Sequence, residues 1–138
     1  MILLAADYKI LPESMESDEL AGYFKEFLSE YSDKPRTLPA LKQLYELAYR
    51  QWDTYESVDE DIAEKLDEYL RSAINFKSYE IMDTLMSIVE NLSLKNIFHY
   101  IVDQVDDIMD QSVRELIQEA DEEYGDRIDD IFGDLDDW

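Results

Sequence analysis

The chain has 138 residues, room for one domain and too few for two of ordinary size. Its 35 Asp and Glu face only 12 Lys and Arg, for a formal net charge of -23. That balance excludes nucleic-acid phosphates and anionic bilayers as direct partners, because both are bound through clustered cations. A hydrophobic share of 46% is nevertheless too high for a disordered acidic chain, so a packed core is expected.

Cysteine is absent, which removes disulfides, thiol nucleophiles and thiolate metal sites. Three Gly and three Pro leave few tight turns, so sandwiches and barrels are disfavoured and an all-α chain is expected. Residues 1–6 are apolar but meet Asp7 without a basic flank, so they do not read as a signal peptide. No apolar run is long enough for a membrane span, and the expected location is the cytoplasm.

Taken in order, residues 1–16 read as a short irregular segment, with Pro12 in a loop. Ser17 is the expected N-cap of a first helix whose inward face is Leu20, Phe24, Phe27, Leu28 and Tyr31. Residues 33–39 form a loop, and Pro39 suits the first turn of a second helix. That helix is expected to bury Leu41, Leu44, Tyr45, Ala48, Trp52 and Tyr55. Ser57 and Glu60 have capping-box spacing and open a third helix, with Ile62, Leu66, Tyr69, Leu70 and Ala73 inward.

Ser78 caps a fourth helix carrying Met82, Leu85, Met86 and Val89, and Ser93 starts a fifth with Ile97, Phe98, Ile101, Val105, Ile108 and Met109. The same periodicity runs on through Val113, Leu116, Ile117 and Ala120 to Tyr124. One helix over 94–124 would be about 46 Å long at 1.5 Å per residue. The radius of gyration expected at this chain length is only roughly 14 Å. A break is therefore expected at the second capping box, Ser112 to Glu115. The result is a compact bundle of five to six antiparallel helices stacked as αα-hairpins over 17–124. Gly125 then precedes an acidic amphipathic tail, 126–138, with Ile128, Ile131, Phe132, Leu135 and Trp138 on one side. The tail reads either as the last core helix or as a partner-binding segment.

Charge is concentrated towards the end. Residues 103–138 hold 15 acids and two bases, against 20 and 10 in residues 1–102. Two acidic lines are expected on outer helix faces: Glu60, Glu64, Asp67 and Glu68 on the third helix, and Asp103, Asp106, Asp107 and Asp110 on the fifth. Like charges at these spacings destabilise a helix by about 0.2–0.5 kcal/mol per pair, which stability alone would not favour. Tyr49, Tyr79, Tyr100 and Tyr124 fall outside the inward stripes, and of these Tyr49 and Tyr124 are the candidate aromatic anchors beside the carboxylates. Asp129, Asp130 and Trp138 of the tail complete the candidate partner-binding set.

Chemistry-bearing motifs are missing. A lone histidine, His99, provides neither a zinc site nor a Glu-x-x-His pair and reads as a half-buried helix residue. The clusters at 126–130 and 134–137 lack the ligand spacing and glycine of a calcium loop, and no phosphate-binding glycine motif occurs. No cofactor, metal or catalytic activity is expected. The composition instead fits an antidote or immunity-type inhibitor of a basic, nuclease-like toxin. A DNA mimic acting on a DNA-binding or restriction-type enzyme is one alternative, and a helical adaptor or assembly subunit is another. The oligomeric state is left open.

Overall fold

The periodicities above resolve into helices in a computed structural model that describes residues 11, 12, 14–54 and 56–125. Tyr55 and the tail residues Asp129, Asp130 and Trp138 lie outside the described residues. The all-α bundle is as expected, and six α-helices occur among the described residues: α1 (Ser17–Tyr31), α2 (Leu38–Asp53), α3 (Glu60–Arg71), α4 (Tyr79–Leu92), α5 (Lys95–Val102) and α6 (Gln111–Tyr124). A 3-10 turn, Val105–Asp107, separates the last two.

The inward stripes of α1, α3 and α4 form one continuous core, with Phe24, Phe27, Leu66, Leu70 and Met82 fully enclosed. Each such side chain contributes about 1.5–3 kcal/mol of hydrophobic stabilisation. α2 packs most extensively on α4, two elements further along the chain, and also on α1. α3 closes the other side against α1 and α5, while α6 lies on α4 and α5. Because α2 is covered from two directions, its buried face is wider than the expected stripe. Ala40, Gln43, Leu47, Arg50 and Gln51 are buried as well as Leu41, Leu44 and Ala48. Tyr45 is exposed and Trp52 only half-buried.

Four of the expected cap assignments change, each for an identifiable reason. Ser17 lies inside α1 after the N-cap Glu16, and its hydroxyl accepts from Gln51 Nε2 at 3.2 Å, a tertiary partner in place of a local cap. The Ser57–Glu60 box does not form, since α3 begins at Glu60 with Asp59 as N-cap. Gln51 Nε2 donates to the Glu56 carbonyl at 2.6 Å and Val58 packs against the core, which together set where the helix begins. Ser93 ends α4 rather than starting α5: it turns left-handed at φ 55°, and the next N–H, from Leu94, donates to the Val89 carbonyl at 3.0 Å.

The break after α5 occurs earlier than Ser112, and Asp110 is the cap. Its carboxylate accepts from the Val113 N–H at 3.0 Å, leaving Ser112 within α6. Four aspartates over 103–110 are poor helix formers and repel one another at helical spacing, so this stretch unwinds. Ile108 adopts an extended conformation and stays buried, whereas Met109 is turned out and 92% exposed. Arg114 donates twice to the Ile108 carbonyl freed by the break, at 3.1 and 2.8 Å. The expected cap at Ser78 is seen, as is Pro39 in the first turn of α2, where Thr37 supplies the capping oxygen.

Arg50 is 1% exposed and binds parts of the chain far apart in sequence. Its guanidinium donates to the carbonyls of Leu11 (2.9 Å), Pro12 (2.8 Å) and Glu46 (2.6 Å), and pairs with the Glu46 carboxylate at 3.2 Å. Replacing it with methionine roughly keeps the bulk but removes the donors that hold the Leu11 and Pro12 carbonyls and the partner of the Glu46 carboxylate, while the Glu46 carbonyl keeps its helical N–H. Arg50→Met is predicted to cost about 2–4 kcal/mol in urea unfolding. Arg50→Lys should recover less than half of that loss, because one ammonium cannot reproduce the planar fork. A methionine variant as stable as the parent would contradict this role.

Candidate functional site

α3 presents two faces. Ile62, Leu66, Tyr69 and Leu70 enter the core, while Glu60, Ala63, Glu64, Asp67, Glu68 and Arg71 line a cleft of about 480 Å³. The lining positions recur at i, i+3, i+4, i+7, i+8 and i+11, so the cleft follows the helix from its first turn to its last. Its opposite wall is the α4–α5 junction, Leu92 to Asn96, and Ser57 and Val58 close one end. The structure thus brings Glu60, Glu64, Asp67 and Glu68 together on one wall, as the spacing implied.

Four carboxylates share the cleft with two cations, Arg71 and Lys95. Arg71 pairs with Asp67 one turn earlier, and its guanidinium lies 4.7 Å from the centre of the Tyr100 ring, linking α3 to α5. Glu60, Glu64 and Glu68 form no ion pair among the described residues and are spaced four residues apart along one ridge. The second expected line is not a helical stripe. Asp103 is the C-cap of α5, Asp106 and Asp107 lie in the 3-10 turn, and Asp110 is the N-cap of α6. All four are exposed, with Met109 between them.

The tyrosines differ in availability. The Tyr49 ring is half-buried, 4.7 Å from the Arg50 guanidinium and 5.8 Å from the Tyr45 ring. Tyr124 packs against the core. Tyr79 is 47% exposed and Tyr100 45%, the latter with Arg71 against one face. His99 is exposed rather than half-buried, beside the Phe98 ring. No group of three or more His, Asp or Glu side chains among the described residues is placed to hold a metal ion. No helix among them is long and apolar enough to cross a membrane.

Composition could not show where the positive charge is used. Arg36 donates to Ser72 Oγ at 2.8 Å and to the carbonyls of Ser32 and Lys34 at 2.8 and 2.6 Å, with its guanidinium 4.3 Å from the Tyr69 ring centre. Arg50 and Arg114 likewise serve backbone carbonyls. These arginines tie loops and termini to the bundle, so they do little to neutralise the outer carboxylates. Burial raises the hydroxyl pKa of Tyr69 above its ordinary value, and the nearby Arg36 partly offsets this. No protein-family model, curated sequence or solved structure matches this chain.

One carboxylate away from the cleft is strongly perturbed. Burial pushes Glu90 of α4 up to about 7, with Glu123 of α6 and Asp83 of its own helix adding repulsion. A raised carboxyl pKa means the folded state holds the proton longer than the unfolded chain. The resulting stability is fully present below the ordinary value of 4.5 and is lost as pH rises to about 7. Because Glu90 is partly exposed, the effect is reduced to about 1 kcal/mol. The melting temperature should therefore fall between about pH 4.5 and about pH 7, and Glu90→Gln should flatten that fall. An unchanged slope in the variant would remove Glu90 as its source.

Proposed function

We propose that the protein is an acidic binding inhibitor. It acts as an antidote or immunity-type protein that neutralises a basic, nuclease-like toxin by occupying the toxin's cationic surface. The observation that carries this reading is the division of charge: Arg36, Arg50 and Arg114 serve backbone carbonyls while Glu60, Glu64 and Glu68 stand outward with no ion pair among the described residues. A like-charge ridge of this kind costs stability, so it is better explained by a partner than by solubility alone. Long-range attraction between such a ridge and a cationic groove raises association rates by about 10–1,000-fold and weakens with salt. Exposed Met109, next in sequence to Asp110 and two and three residues after Asp107 and Asp106, adds an apolar side chain to a second acidic segment.

The test is capture from extracts of the native host on the immobilised protein, at low and at raised salt. The prediction is one dominant basic protein, retained at raised salt, whose nuclease activity is lost on adding an equimolar amount of this chain. Capture of several unrelated DNA-binding proteins, all released by salt, would indicate a DNA mimic. A dominant partner with no basic character would overturn the electrostatic reading altogether.

A further inference from the structure

We infer that the cleft between α3 and the α4–α5 junction is the docking groove for one amphipathic, Lys- and Arg-bearing helix of the partner. This rests on the reading of the protein as a binder of a basic protein, and adds where and how the partner is held. The groove follows all 12 residues of α3, a length of about 18 Å, which matches a partner helix of roughly three turns. Its apolar lining is Val58 and Ala63, both half-buried, together with Leu92 and Leu94, which are almost fully covered. A helix laid there buries an apolar stripe in the manner of helix-in-groove recognition.

The rim provides the charge complementarity. Glu60, Glu64 and Glu68 recur every four residues, the spacing at which Lys or Arg recurs along one side of a partner helix. Ser93 also lines the cleft, and its hydroxyl is buried without a hydrogen-bond partner among the described residues. A docked amide or ammonium group would supply that missing partner. A second copy of this chain is a poor occupant by way of its tail, since residues 126–138 carry six aspartates and one arginine. A purely cationic segment without apolar residues would leave this apolar lining wet.

The test is a nuclear magnetic resonance titration of the isotope-labelled full chain with two synthetic peptides of equal charge. One is an amphipathic Lys/Leu helix of about 14 residues, and the other replaces every Leu with Gly. The expected result is tighter binding of the Lys/Leu peptide, with the largest amide shifts at Ala63, Ser93 and Leu94. Glu64→Lys combined with Glu68→Lys should weaken it at least about tenfold. Ala63→Trp, checked for retained helicity, should block the groove without changing net charge, and the charge variant tests the same surface should that protein misfold. Equal shifts over every acidic segment, with both variants binding as the parent does, would overturn the groove and leave the acidic-binder reading standing. Failure of both peptides to bind at low salt would overturn both.

Discussion

The buried guanidinium of Arg50 is the interaction on which the arrangement of this chain most depends. A charge taken out of water is tolerated only when its donors are satisfied, and here the acceptors come from α2 itself and from Leu11 and Pro12. The entering chain is thereby fastened to the middle of the bundle, and neighbouring Gln51 fixes Ser17 at the start of α1 and Glu56 before α3. Two adjacent polar residues on one helix thus place the beginnings of two others. Arg36 does the same for the loop between α1 and α2, and Arg114 for the break before α6. With few glycines and prolines to shape its turns, the chain uses arginine to complete the hydrogen bonding of its connections.

This use of arginine shapes the surface as well. Guanidinium groups directed at carbonyls contribute less to the neutralisation of outward carboxylates, so a chain with 35 acids and 12 bases presents even less positive charge than its count implies. Stability and surface potential are therefore coupled: the same arginines that close the fold do little to offset the acidic ridge of α3. Glu60, Glu64 and Glu68 sit on a helix that the bundle holds through Leu66, Tyr69 and Leu70. Tertiary packing of that face outweighs the repulsion along the opposite one.

Periodicity made much of the fold legible. The inward faces of α1, α3 and α4 follow from apolar spacing alone, and so does the acidic wall of α3, because one helix fixes both. Serine caps were less informative, since Ser17 and Ser112 have good local spacing but tertiary partners or a stronger Asp cap prevailed. The buried face of α2 was read too narrowly because a helix covered on two sides buries residues, Arg50 among them, that no hydropathy pattern marks. The acidic run at 103–110 kept helical spacing in sequence and lost it in the structure, as repulsion and extended Ile108 together ended α5. The cleft beside α3 needed the α4–α5 junction as its second wall, and that pairing across the bundle leaves no local signal.

The central claim is that the acidic face of α3 recruits a basic partner by long-range attraction and holds it in the adjoining cleft. The most direct measurement is stopped-flow association of the captured partner with the parent and with a variant carrying Gln at Glu60, Glu64 and Glu68, over a series of salt concentrations. The account predicts a parent rate that falls steeply with salt, and a variant that is slower at low salt and converges on the parent as salt rises. Identical rates and salt slopes for the two proteins would contradict it.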